Sequence, residues 1–97
     1  MIIKHHIIVK WNETVTDKTA IIKPIKELFD KTLEIEGINA VDLFPNVIAR
    51  DNRYDLMIVI TMSEEALPIY DSSAYHLEWK NDYGKRIASK AIFDMQA

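Results

Sequence analysis

Apolar and polar residues alternate at period two from Ile2 to Trp11: Ile3, His5, Ile7, Val9 and Trp11 share one face, and Lys4, His6, Ile8 and Lys10 share the other. This predicts a strand with one drier face. From Thr16 to Glu36 the period lengthens, with Ile21, Ile25, Leu28, Phe29 and Thr32 at helical spacing. Thr16 is the expected N-cap, and Gly37 stands where a left-handed C-terminal residue is wanted. Pro24 interrupts this pattern, so it either kinks the helix or marks its true start. Ile38 to Ile48 reads as a second strand, broken near its end by Pro45 and Asn46 and followed by the polar connection Arg50-Asp51-Asn52-Arg53.

Tyr54 to Met62 is apolar on both faces, with Leu56, Ile58 and Ile60 pointing one way and Met57, Val59 and Thr61 the other. Both sides of the sheet therefore need cover. Ser63-Glu64-Glu65 is expected to open a short helix disturbed by Pro68; a further helix is expected from about Ser73 to Lys85, ending near Gly84. Ile87 to Met95 reads as the last strand. The order strand, helix, strand, strand, helix, strand predicts an α+β chain: a ferredoxin-like split βαβ arrangement with a four-stranded antiparallel sheet and two helices on one face. Ile7, Val9, Ile58 and Ile60 are expected between sheet and helices, with His5 among them. A homodimer through the open sheet face, burying Ile8, Met57 and Val59 in a dimeric α/β barrel, would cover the other side.

Composition changes this picture little. Ninety-seven residues make one domain, 1–97, with a thin core. A net charge of −3 with interspersed signs leaves no basic stripe to neutralise phosphates, so no nucleic-acid partner is expected. With no cysteine there are no disulfides, thiolate metal sites or cysteine nucleophiles. The apolar start MIIKHHIIVKW is interrupted by Lys4, His5, His6 and Lys10 well below the length of a signal-peptide core or spanning helix; a cytoplasmic location without membrane attachment is expected.

The candidate chemistry lies in three side chains. Tyr70 and His76, in YDSSAYH, together with His5 on the drier strand face, offer a proton donor and acceptors beside an apolar interior. Six residues apart in an unbroken helix, Tyr70 and His76 would face different ways, so convergence requires a break near Asp71-Ser72-Ser73. Otherwise Tyr70 is a core ring, His76 packs at a helix start, and His5 is a buried neutral imidazole bonded to backbone. His5 and His6, as strand neighbours, cannot converge on one ion, and neither a metal nor another cofactor is expected. Tyr75, Trp79 and Tyr83 recur at four-residue spacing as core packing, with Trp79 also a candidate for a ligand pocket walled by Ile7, Val9, Ile58 and Ile60. Lys90 shares a face with Ala88 and Ile92, so it either approaches the interior near the first strand or snorkels to the rim.

The segments IKHHIIVKW, NRYDLMIVITM, YDSSAYH and AIFDM, in this order over nearly the whole chain, resemble the stress-responsive α/β-barrel (Dabb) domains. That resemblance implies a dimeric ferredoxin-like barrel and a family of stress-induced proteins, a plant polyketide cyclase and many bacterial members. In the cyclase-like members a first-strand histidine, a tyrosine and a histidine six residues beyond line an internal pocket, the last as general base; His5, Tyr70 and His76 occupy those positions. Two features depart. The usual His-Pro-x-His is Ser73-Ala74-Tyr75-His76, and a second pocket histidine corresponds to Leu56. Three readings follow: a dimer binding a small hydrophobic or aromatic molecule in an apolar pocket, a cofactor-free polyketide-cyclase-like enzyme, and a cofactor-independent monooxygenase.

Overall fold

The structure, a computed structural model, describes Met1–Ala97. Its strands are β1 (Ile2–Trp11), β2 (Ile38–Pro45), β3 (Leu56–Ser63) and β4 (Ile87–Gln96), and its helices are α1 (Ile22–Asp30), α2 (Ala66–Asp71) and α3 (Ala74–Tyr83). The sheet runs β2-β3-β1-β4 with every neighbour antiparallel. This is the ferredoxin-like arrangement that the alternation of periods predicts.

Register sorts the side chains between two faces. Ile7 lies opposite Ile58 and Ile92, and His5 opposite Ile60 and Asp94, on the face that the helices cover. Ile7, Val9, Ile58 and Ile60 are buried there with Ile25, Leu28 and Phe29 of α1, in one continuous core. His6 pairs with Val59 and Phe93 on the opposite face, where its Nδ1–H donates to the carbonyls of Lys4 (3.0 Å) and Phe93 (3.1 Å). No helix lies over that face, and Phe44 (51%), Phe93 (61%) and Met95 (46%) stand exposed on it or at its margin.

Two expectations need correction. The helix expected over 16–36 spans only Ile22–Asp30, continued by a 3-10 turn over Lys31–Glu34, and Thr16 does not cap it. Asp17 takes over the preceding segment, its Oδ1 accepting the backbone N–H groups of Thr19 (3.1 Å) and Ala20 (3.0 Å) in a local turn. Pro24 then falls in the first turn of α1, where a missing N–H costs nothing. Pro68 sits equivalently in α2, whose N-cap is Glu65; Ser63 belongs to β3. Gly37 has φ +94°, and a Cβ there would collide with Ser63, so this position needs glycine on both counts.

The Tyr-Asp pair before β3 has a structural use. Asp55 accepts the Trp11 N–H (2.7 Å) and the Lys18 ammonium (2.9 Å), fixing the end of β1 against the start of β3. No helix is long and apolar enough to cross a membrane.

Candidate functional site

The break at Asp71-Ser72-Ser73 builds the site. Ser72 turns back to bond the Pro68 carbonyl (3.0 Å), and Ser73 adopts extended dihedrals, φ −73° and ψ 157°. Its hydroxyl donates to the Tyr70 carbonyl (2.7 Å) and accepts the His76 N–H (3.2 Å), ending α2 and capping α3 with one side chain. The turn brings the rings of Tyr70 and His76 to 5.1 Å between centroids, and Tyr70 lies 5.7 Å from His5. All three therefore meet, across a helix break and from a facing strand.

They line a pocket of about 240 Å3 between β1, β4, α2 and α3, together with Ile7, Leu67, Asp71, Trp79, Lys90, Ile92 and Asp94. Of the five wall residues expected from sequence, Ile7 and Trp79 contribute. Val9, Ile58 and Ile60 do not: all three are fully buried in the continuous core and stand outside the pocket lining. The wall is also less apolar than expected, because β4 supplies Lys90 and Asp94 to it. Leu67, Asp71, Ile92 and Asp94 are the contributors that the sequence pattern did not single out. The signal for Asp94 was its period-two spacing from Lys90 and Ile92 on a strand antiparallel to β1, which puts it opposite His5.

Hydrogen bonding fixes how each group presents itself. His76 Nδ1 lies 2.9 Å from the Asp71 carbonyl, which can only accept, so Nδ1 carries the proton and Nε2 the lone pair in the neutral ring. Burial pushes His76 below the ordinary histidine value; the Asp71 carbonyl and charge pull it up but do not win. His5 Nδ1 lies 2.5 Å from Asp94 Oδ1, a bond that orients the imidazole from behind. Tyr70 is 1% exposed and its hydroxyl has no partner in the protein. Burial, with a smaller push from the Asp71 charge, raises its phenol far above the usual value, so it stays protonated and can only be a neutral donor or acceptor. The pocket thus combines a neutral imidazole base, an unspent hydroxyl and a carboxylate-held imidazole against Ile7, Leu67, Trp79 and Ile92.

Of the aromatic series expected in the core, Trp79 and Tyr83 pack there, Trp79 meeting Phe29 edge-on at 5.1 Å and Tyr83 at a tilt of 31° and 5.2 Å, whereas Tyr75 lies outside the core and its hydroxyl donates to Glu34 at the surface. No three His, Asp or Glu side chains gather as metal ligands would.

No family model matches the chain, and no curated protein matches it. Solved structures do. A dimeric ferredoxin-like protein of unknown function from Thermobifida fusca superposes with a TM-score of 0.83 at 17% identity, over 100% of this chain and 92% of that one. A dimeric protein of unknown function and ferredoxin-like fold from Bacteroides fragilis gives 0.79 at 15%, over 99% and 96%. A protein from Nitrosomonas europaea, named provisionally as an antibiotic biosynthesis monooxygenase, gives 0.77 at 9%, over 99% and 89%. At these identities the likeness establishes the ferredoxin-like fold alone.

Proposed function

We propose that this chain is a homodimeric domain of the stress-responsive α/β-barrel kind that binds a small hydrophobic or aromatic molecule bearing an oxygen function in the pocket of His5, Tyr70 and His76. The observation that carries this reading is the Tyr70 hydroxyl, buried without a partner, on a ring whose centroid lies 5.1 Å from that of His76. A buried hydroxyl left unpaired costs about 1–3 kcal/mol. A ligand that supplies the missing partner recovers that cost, and Ile7, Leu67 and Trp79 give its carbon skeleton a dry wall. The pocket is smaller than a typical drug-sized site of roughly 300–1,000 Å3, which favours a single ring or a short chain. Dimerisation follows from the exposed apolar side chains Phe44, Phe93 and Met95 on the open sheet face around the buried Val59, which a second sheet packed face to face would bury.

A second reading rests on the state of His76. A neutral imidazole with its lone pair on Nε2, next to a hydroxyl that stays protonated, is the pairing that proton removal beside a carbonyl requires: base and oxyanion donor. The chain would then be a cofactor-free enzyme of the polyketide-cyclase type, with His5 assisting. A cofactor-independent monooxygenase would use the same base on a phenol or enol, and the name of the Nitrosomonas protein is the support for that version.

The test is titration of a panel of single-ring phenols and cyclic ketones, read by NMR at the His76 ring and the Trp79 indole. Saturable shifts at both groups, weakened by Tyr70→Phe, are expected. If no compound moves them, or shifts arise only on the open sheet face, the pocket reading falls.

A further inference from the structure

We infer that the pocket selects organic anions, specifically small hydroxy- or keto-carboxylates, and that Lys90 is the residue that selects them. This rests on the pocket reading above and adds the charge of the ligand to it. Lys90 stands on β4 opposite Val9, two positions from Ile92 and four from Asp94, on the face that looks toward the helices. It lines the pocket with Tyr70, His76 and Trp79, and its ammonium makes neither a hydrogen bond nor an ion pair within the protein. The chain's other pocket charges are differently placed. Asp94 already holds His5 at 2.5 Å, and Asp71 lies exposed at the end of α2, where its carbonyl holds His76.

Two groups in this wall are therefore unspent donors, the Lys90 ammonium and the Tyr70 hydroxyl, and one is an unspent acceptor, His76 Nε2. A molecule that satisfies all three carries a carboxylate for Lys90 and a hydroxyl or enolisable carbonyl for the Tyr70–His76 pair, separated by an apolar body against Ile7 and Trp79. Asp71 and Asp94 both oppose such an anion, but Asp71 from an exposed position through water, where charges are screened over about 8 Å, and Asp94 from four residues along β4, roughly 13 Å away, with one oxygen engaged by His5; a carboxylate against the ammonium would be in direct contact. Both the inward and the snorkelling Lys90 use the face that the register with β1 assigns it; the side chain lines the pocket while remaining exposed, which places its ammonium at the pocket rim.

The experiment compares 4-hydroxybenzoate with its neutral isostere 4-hydroxybenzamide by calorimetric or NMR titration of the whole chain. The acid should bind about tenfold more tightly, as expected for a charge-assisted hydrogen bond at a partly exposed site, and its affinity should fall with added salt while that of the amide does not. Lys90→Met should remove the preference by weakening the acid alone, and Lys90→Arg should keep it. Equal binding of the two probes, or a preference surviving in Lys90→Met, overturns the anion inference and leaves the pocket reading standing. Binding of neither probe, nor of any neutral phenol or ketone, overturns both. Because Lys90 is exposed and unpaired, its variants should retain the wild-type melting temperature; a drop would be resolved by whether Lys90→Arg still prefers the acid.

Discussion

Tyr70→Phe should make the free protein more stable and its pocket worse. The ring fills its site in the core at 1% exposure, and the substitution keeps every ring contact while deleting only an oxygen with no partner. A buried unsatisfied hydroxyl costs about 1–3 kcal/mol, part of which is recovered when the oxygen goes, since the small space it leaves forfeits some packing. A net gain of about 1 kcal/mol corresponds to a rise in melting temperature of roughly 4–8 °C for a domain of this length. The assay is thermal and urea unfolding of both proteins at matched concentration, because a dimer's melting point moves with concentration. Each should then be repeated with saturating 4-hydroxybenzoate. Without ligand the variant should melt higher; with ligand the wild type should gain more, narrowing or reversing the order. A variant that loses more than about 0.5 kcal/mol would mean that the hydroxyl has a partner in the free protein, and the observation carrying the proposed function would be gone.

Three other outcomes follow from the same structure. The His76 ring should titrate below its ordinary value of about 6.5, because burial disfavours its charged form; the unfolded chain then binds more protons, so stability is complete above about pH 6.5 and is lost as pH falls through the lower folded value. NMR titration with a midpoint above 6.5, or a His76→Ala variant keeping that acid-side loss unchanged, would contradict this. Ile58→Ala, at a fully buried position of β3, should cost about 2–5 kcal/mol in urea unfolding, and a cost near zero would reverse the assignment of sheet faces. Sedimentation should report about twice the 11.3 kDa chain mass, and Val59→Lys should dissociate or unfold the assembly by placing a charge in a dry interface twice; a monomeric wild type at micromolar concentration would refute the interface.

The sheet was legible because its signal is binary. Period two across Ile2–Trp11 and an apolar run across Tyr54–Met62 leave one register that buries Ile7 against Ile58, and slipping by one residue would bury Lys4 and Lys10. Helix starts were less legible. Thr16 and Ser63 have capping chemistry, but Asp17 turned one segment back on itself, and pairing with β1 kept Ser63 in the sheet. The meeting of Tyr70 and His76 was readable as a condition, a break at Asp71-Ser72-Ser73, and Ser73 supplies it by bonding both helices. The pocket wall was harder to read. Alternation places Val9, Ile58 and Ile60 on the correct face but says nothing of position along it, and all three lie fully buried in the core, outside the pocket lining. The reach of Lys90 and Asp94 into the site depends on β4 pairing with β1, a contact between the two ends of the chain that no local pattern contains.

The most direct test of the pocket is a crystal structure of the chain with 4-hydroxybenzoate bound. The ring is expected between Ile7 and Trp79, its hydroxyl within about 3 Å of both Tyr70 Oη and His76 Nε2, and its carboxylate toward Lys90. A ligand seated on the open face, or in the pocket with the Tyr70 hydroxyl still unpartnered, would contradict it.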